Sequence, residues 1–257
     1  MLRFVVSLIA AFAPSAVQAM EVDLELVLAV DISRSMSHLD LAVQRKGYAE
    51  ALTDPDVMAA IQGGLLGRIG LSYVEWSDTE HHRVIVDWTP IETPDDAAAI
   101  ATLIVRETGG STRVTSISSG LLFAAKQFED SPFTSYRQVI DVSGDGPNND
   151  GLPVVPARDA VVAKGITING LPLMVGRPGD KWFLPDLDAY YRDCVIGGPG
   201  AFVVSVFGWE EFGNAIRRKL VLEIAGAQPI APRATLHQAS GYDCLIGEKI
   251  RDGSRSP

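Results

Sequence analysis

The sequence has little positive charge, only two cysteines, and no long hydrophobic run after its first nineteen residues. Its 257 residues include 22 Lys and Arg against 32 Asp and Glu, which gives a formal net charge of −10. Nucleic-acid binders need Lys and Arg to displace counterions, so this balance argues against nucleic acid as a partner and disfavours an anionic membrane surface. No later stretch reaches the roughly 18 uninterrupted apolar residues of a membrane-spanning helix, so no stable membrane span is expected.

The composition also excludes a disordered or low-complexity chain. Apolar residues make up 47% and charged residues 21% of the sequence, which is typical of soluble globular proteins. The 24 Gly and 15 Pro follow no period, so a collagen-like chain is excluded. The length suits one large domain with a sizeable core, with two domains as the alternative.

The first nineteen residues have the pattern of a secretory signal peptide. Arg3 precedes a mostly apolar run from Phe4 to Ala13, and Val17-Gln18-Ala19 fits the small-x-small rule for cleavage. No Cys follows the apolar run, so a lipid-anchored protein is disfavoured. The pattern predicts an exported protein, either periplasmic or secreted.

The sequence has two cysteines, Cys194 and Cys244, and export would place them in an oxidising compartment. In an oxidising compartment an isolated pair favours a disulfide bond, and two buried thiols are the alternative. The bond would tie the end of the chain to the domain. Zinc is disfavoured because the cysteines have no paired spacing and the histidines are not arranged as a ligand set.

The middle of the chain alternates between strand-like and helix-like segments. Leu24–Val30 is a nearly continuous apolar run, typical of a strand buried on both faces. The turn Ser77–His81 is too short for a helical crossover, so the strands on either side of it are expected to be antiparallel. The alternation predicts an α/β fold with a doubly wound, mostly parallel sheet, one antiparallel edge strand, and helices on both faces.

Three divisions of the chain follow from this pattern. We predict one α/β domain over residues 20–225 after a signal peptide at 1–19, with an insertion at about 176–193 and a C-terminal tail at 226–257. The predicted strands are Leu24–Val30, Arg68–Trp76, His82–Trp88, Gln138–Ser143, Ile166–Leu171 and Phe202–Val206. The predicted helices are His38–Leu52, Pro94–Val105, Ser118–Phe128, Val155–Lys164 and Trp209–Ile224, with partial helix in the insertion at Asp186–Asp193.

Short oxygen-bearing side chains follow the strands where ligands bind in such a sheet, beyond the carboxyl ends. Asp31, Ser33 and Ser35 follow the first strand, Asp145 follows a later one, and the hydroxyl-rich loop containing Thr115 lies between them in sequence. Taken singly, these residues are ordinary helix caps and turn residues. Together they offer two carboxylates and three hydroxyls, a set that suits Mg²⁺, with Mn²⁺ or Ca²⁺ as alternatives.

These residues carry a resemblance to the von Willebrand factor A domain, which extends from about Val22 to Ala225. The family's Asp-x-Ser-x-Ser motif falls on Asp31, Ser33 and Ser35, and its metal-ion-dependent adhesion site looks complete. The family's threonine falls on Thr115, with Thr112 as the competitor, and its second aspartate falls on Asp145. Asp141 also competes for that second role, but it lies inside the predicted strand. The Ser-Gly-Asp-Gly-Pro-Asn-Asn run and the export signal are similar to those of an uncharacterised group of secreted bacterial proteins.

The resemblance implies a binding mechanism. Ser33, Ser35 and Thr115 would supply hydroxyl ligands, while Asp31 and Asp145 would act largely through water. An acidic side chain of a partner protein would complete the coordination, and Arg34 is a candidate to assist, although it is also an ordinary surface residue.

Two alternatives remain open. One is a metal-dependent hydrolase that uses the same oxygen cage, and the other is a scaffold module with a vestigial site. No nucleophile elbow, no general base and no dinucleotide-binding glycine motif is recognisable in the sequence. We therefore predict that the protein is not an enzyme.

Overall fold

The computed structural model describes residues 19–33, 35–109, 114–227 and 241–253. The predicted signal peptide, apart from Ala19, lies outside the described residues, as do Arg34, Thr112 and much of the C-terminal tail. Among the helices that are described, none is long and apolar enough to cross a membrane.

The core of the fold is a five-stranded sheet with one antiparallel pair. The strands of the described residues are β1 (Met20–Glu21), β2 (Glu25–Asp31), β3 (Ile69–Trp76), β4 (His82–Ile91), β5 (Phe133–Thr134), β6 (Gln138–Gly144) and β7 (Thr167–Pro172). The strand order of the sheet is β4-β3-β2-β6-β7, with β2 in the centre and β4 at the antiparallel edge. The short turn between β3 and β4 predicts their antiparallel pairing, and the structure confirms it. A separate parallel pair is formed by β1 and β5.

Helices cover both faces of this sheet, as the alternation predicts. The described residues form α1 (His38–Leu52), α2 (Pro55–Gln62), α3 (Pro94–Arg106), α4 (Ile117–Gln127), α5 (Val154–Val162), α6 (Leu187–Tyr190), α7 (Trp209–Ile224) and α8 (Ile246–Arg251). Helices α1, α2, α3 and α7 pack on one face, and α4, α5 and α6 pack on the other. Strand β2 serves both cores because its side chains alternate: Leu26 and Leu28 belong to the first cluster, and Val27 and Ala29 belong to the second.

Local sequence signals explain where the helices begin. Thr93 caps α3 through a capping box with Asp96, and Pro94 occupies the first turn. Ser37 and Asp40 form a capping box that starts α1. These reciprocal bonds satisfy backbone amides that a helix start leaves without partners.

Helix α2 was not predicted from the sequence. Asp54 is its N-cap and accepts a hydrogen bond from the backbone of Asp56, and Pro55 takes the first helical position. An Asp-Pro pair in these positions is a recognisable signal for the start of a helix. The segment is only eight residues long, too short to show a clear helical period.

The prediction of a strand over Phe202–Val206 is wrong. The segment runs parallel to β7 but makes only isolated bridges, between Val203 and Gly170 of β7 and between Val206 and Leu173 just after β7. The backbone of Gly170 bonds to Phe202 and to Val204, and Val206 donates to the Pro172 carbonyl. Pro172 has no amide proton and cannot donate the intervening bond, so a continuous ladder does not form.

The predicted disulfide bond is present between Cys194 and Cys244, with 5.5 Å between their Cα atoms. Cys194 lies in a π-helical turn, Tyr191–Val195, that continues directly from α6. The expectation of partial helix in the insertion is therefore confirmed. Cys244 precedes α8, so the bond joins the end of the chain to the second face of the sheet.

Candidate functional site

The candidate site lies where the strand order of the sheet reverses. The chain passes from β2 to β3 on one side and reaches β6 on the other, and such a reversal opens a crevice at the carboxyl ends of the strands. Val30 is in register with Ser143, so the ends of β2 and β6 are adjacent. Asp31 is the last residue of β2, and Asp145 follows the last residue of β6.

Four of the five predicted metal ligands are joined by a short chain of hydrogen bonds. The backbone amide of Ser33 donates to Asp31 Oδ1 at 2.6 Å. The hydroxyls of Ser33 and Ser35 are 3.1 Å apart, and the Ser35 hydroxyl donates to Asp145 Oδ1 at 2.6 Å. The fold thus places the two carboxylates and two of the hydroxyls in one cluster.

The fifth candidate, Thr115, lies on the neighbouring loop and bonds to Asn149, which follows Asp145 by four residues, rather than to the cluster itself. Its backbone amide donates to Asn149 Oδ1 at 2.9 Å, and the Asn149 amide donates to the Thr115 carbonyl at 2.9 Å. Thr115 is almost fully buried. It does not cap α4, because Ser116 has that role, so the reading of Thr115 as a simple helix cap is wrong.

The two carboxylates have raised pKa values. Burial raises the pKa of Asp31 well above its usual value, and the negative charge of Asp145 raises it further. Burial also raises the pKa of Asp145 to about 6, although its hydrogen bond from Ser35 acts in the opposite direction. A buried carboxyl group whose charged form is destabilised by a neighbouring carboxylate is a favourable setting for a cation.

The residues fit a small divalent cation. Asp31 Oδ2 is buried and accepts no hydrogen bond from any described residue, and an orphaned carboxylate oxygen is costly to bury. No group of three or more His, Cys, Asp or Glu within the described part of the chain could hold a metal ion. The cluster instead combines two carboxylates with hydroxyls, an all-oxygen donor set of the kind that Mg²⁺ and Ca²⁺ prefer.

Gly144 allows the backbone to approach this cluster closely. A Cβ atom at this position would lie 2.9 Å from Asp31 Oδ2 and 2.7 Å from the Tyr191 hydroxyl. Any larger residue would therefore displace one of these groups. The neighbouring Tyr191 was not anticipated, because it belongs to the insertion and only the tertiary fold brings it to Asp31.

Asp141 is not part of the site. Its side chain is buried inside the sheet, where Asp141 Oδ1 lies 2.6 Å from Lys219 Nζ. Asp141 thus lies inside the strand, as the sequence predicts, and its charge is paired with Lys219.

A groove of about 510 Å³ leads from the cluster along the insertion. Ser35, Asp145 and Trp209 are among the residues that line it. The insertion contributes both aromatic and cationic side chains, with Lys181 Nζ 4.5 Å from the centre of the Trp182 ring. The remaining lining residues include Arg177, Asp180 and Phe183.

Comparison with known families and sequences gives a family match but no curated relative. The family described as "Protein of unknown function (DUF1194)" matches residues 21–228. No curated protein sequence matches the chain.

Solved structures show that the fold is of the von Willebrand factor A type. The chain is similar to the pilus adhesin SpaC from Lactobacillus rhamnosus GG, with a TM-score of 0.58, 12% identity, and coverage of 79% of this chain and 30% of that one. A von Willebrand factor type A protein from Catenulispora acidiphila gives a TM-score of 0.56 at 13% identity, with 79% and 43% covered. Proximal thread matrix protein 1 from the mussel byssus, with a zinc-occupied MIDAS motif, gives 0.53 at 14% identity, with 80% and 46% covered. This chain thus spans less than half the length of these three proteins.

Proposed function

Because the chain belongs to the DUF1194 family, whose description assigns no function, we propose one from the site itself: an exported, metal-dependent protein-binding module. Asp31, Ser33, Ser35, Thr115 and Asp145 hold a divalent cation, with Mg²⁺ as the first choice. A cation bound there supplies positive charge and an open coordination position for an acidic side chain of a partner protein. The adhesin and the matrix protein among the similar folds support this class of function.

The observation that carries the proposal is the hydrogen-bonded chain from Ser33 through Ser35 to Asp145, beside the orphaned Asp31 Oδ2. The serine hydroxyls are held within hydrogen-bond distance of each other. No ion pair of the described residues involves Asp31 or Asp145. Two linked carboxylates without a protein cation among the described residues support binding of an external cation.

The burial of Asp31 supports a role in orienting the site. The Gln44 side chain donates to the Asp31 carbonyl at 2.9 Å, and the Ser33 amide occupies Asp31 Oδ1. Only Oδ2 is free to act on the cation or on a water bound to it. Ser33, whose backbone is tied to Asp31, is positioned by the same turn.

The experiment is capture of partners from an envelope extract on the immobilised mature protein. Capture is expected in Mg²⁺, loss in EDTA, and recovery when Mg²⁺ is added back. Ser35→Ala should abolish Mg²⁺-dependent capture because it removes a hydroxyl ligand. Ser37→Ala is the matched control, since Ser37 only caps α1 and its loss leaves the cluster intact. Proteins that remain bound in EDTA, or that bind Ser35→Ala as well as the wild type, would contradict the proposal.

A further inference from the structure

The C-terminal segment 241–253 packs against the loop that follows β6, residues 145–150. We propose that this segment, tethered by the disulfide bond, clamps the loop and thereby sets the affinity of the site for its cation. The inference rests on the proposed function, because it concerns the same site. It assigns a role to the disulfide bond, to α8 and to the two asparagines at 148 and 149.

The loop controls two of the proposed ligands at once. Asp145 lies at its start, and Asn149 exchanges two hydrogen bonds with Thr115. Asn148 Oδ1 also accepts a bond from the Ser118 amide in the first turn of α4 at 3.0 Å. Both asparagines are fully buried. A shift of this loop would therefore move Asp145 and Thr115 together.

Helix α8 binds the same two asparagines from the other side. Glu248 Oε1 accepts a hydrogen bond from Asn148 Nδ2 at 2.8 Å. Arg251 Nη1 donates to the Asn149 carbonyl at 2.9 Å. Gly247 packs so closely that a Cβ atom there would overlap with the Asn148 carbonyl oxygen. The helix thus fixes both the side chain and the backbone of the loop.

The disulfide bond joins α8 to a second set of contacts with the loop. Cys194 lies in the helical turn directly after Tyr190. The Tyr190 hydroxyl accepts a hydrogen bond from the Asn148 backbone amide at 3.1 Å. The Tyr190 ring also packs edge-on against Tyr242, with 6.0 Å between ring centres. The bond at Cys244 therefore holds both halves of the clamp together.

The clamp depends on this tether because α8 is short. It has six residues, and isolated helices of that length are not stable in water. Its position is therefore set by the disulfide bond and by its contacts with the loop. By thermodynamic linkage, a loop that is already held in place binds the cation more tightly. A bound cation in turn stabilises the clamped state.

Gly247 gives the sharpest test. Helix propensity alone favours Ala over Gly at this helical position, but the added Cβ must push α8 away from Asn148. We expect Gly247→Ala to weaken Mg²⁺ binding at least about tenfold. We also expect faster hydrogen exchange at the amides of Thr115 and Asn149 in the metal-free protein. Gly241→Ala is the matched control, because a Cβ there meets nothing within 4 Å, and it should behave as the wild type.

Milder changes test the same contact if Gly247→Ala fails to fold, as judged by circular dichroism. Glu248→Ala should weaken Mg²⁺ binding, and Glu248→Gln should restore it because the amide oxygen still accepts from Asn148. Replacing both Cys194 and Cys244 with Ser should also weaken Mg²⁺ binding.

The outcomes separate this inference from the function on which it rests. If the wild type does not bind Mg²⁺, the proposed function fails. If the wild type binds Mg²⁺ and all of these variants bind equally well, with unchanged exchange at Thr115 and Asn149, the clamp is refuted while the metal site stands.

Discussion

Two pairs of carboxylates lie in or beside this sheet, and they differ in the cation available to them. In the core, Asp141 on β6 and Glu223 on α7 share Lys219, which is itself fully buried. At the sheet edge, Asp31 is fully buried and Asp145 is half-buried, and both have serine hydroxyls nearby but no ion-pair partner among the described residues. The protein thus compensates one pair with its own ammonium group, and we propose that the other pair takes an external cation.

The surroundings of the two pairs support this distinction. In the core, Asn169 Nδ2 donates to Glu223 Oε1 at 3.0 Å, so the ion cluster is closed by side chains of the fold. At the edge, a groove reaches Ser35 and Asp145 from the surface. A closed cluster serves the structure, whereas a cluster at the end of a groove is accessible to a ligand.

The largest effect is expected in the core. Lys219→Met leaves Asp141 and Glu223 buried without their cation, and loss of one partner of a buried pair typically costs about 3–5 kcal/mol. Urea denaturation should show this loss in the free energy of unfolding. Arg217→Met on the same helix is the control, since its pair with Asp56 is at the surface and is worth at most about 1 kcal/mol. A loss for Lys219→Met no larger than that of the control would break the comparison.

At the edge, removal of a carboxylate should have the opposite effect on the metal-free protein. Asp145→Asn relieves its repulsion with Asp31, so the metal-free fold should become more stable at neutral pH. The same change should abolish the stabilisation by Mg²⁺, which for the wild type is about 2.7 kcal/mol at a hundred times the dissociation constant. Thermal denaturation with and without Mg²⁺ measures both effects. A variant that is less stable without metal, or that still responds to Mg²⁺, contradicts this account.

The pH dependence of stability tests the core pair. Burial, with the charge of Asp141 as the next cause, raises the pKa of Glu223 to about 7, although Lys219 opposes the shift. A raised carboxyl pKa means that the folded state holds the proton more tightly, so this stability is present at low pH and is lost as pH rises from about 4.5 towards 7. The slope from one such group is at most about 1.4 kcal/mol per pH unit. Glu223→Gln should remove this pH-dependent loss of stability from the pH profile of unfolding. Identical profiles for the wild type and the variant would refute the raised pKa of Glu223.

The smallest effect is expected for Thr115. Thr115→Ala removes one proposed hydroxyl ligand and little apolar surface, so Mg²⁺ binding should weaken about tenfold, or about 1.4 kcal/mol. Thr115→Ser keeps the hydroxyl and should bind as the wild type does. Calorimetric titration distinguishes the two variants. Equal weakening in both would mean that the hydroxyl is not the group that matters.

The sequence was sufficient for those parts of the fold and site that depend on neighbouring residues. The apolar run of β2 and the polar turn after it are contiguous, so Asp31, Ser33 and Ser35 could be placed at a strand end. The helices His38–Leu52 and Trp209–Ile224 have the same limits in the structure as in the prediction. Parallel pairing then explains why Asp145 lies close to Asp31.

Features that depend on distant residues could not be predicted. The bond between Asn148 and Glu248 spans 100 residues of sequence, and that between Thr115 and Asn149 spans 34. Nothing in the local pattern of the insertion indicates that Tyr191 lies beside Gly144. The buried partner of Asp141, Lys219, looks like an ordinary surface lysine in the sequence of α7. Such contacts exist only once the sheet and its two helical layers have assembled.

Direct titration of Mg²⁺ into the metal-free, purified protein is the most decisive measurement. This account predicts one binding event per chain for the wild type, unchanged binding for Ser37→Ala, and no binding for Asp31→Ala. Circular dichroism would confirm that Asp31→Ala keeps its fold. Equal binding by the wild type and a folded Asp31→Ala variant would contradict the assignment of the site.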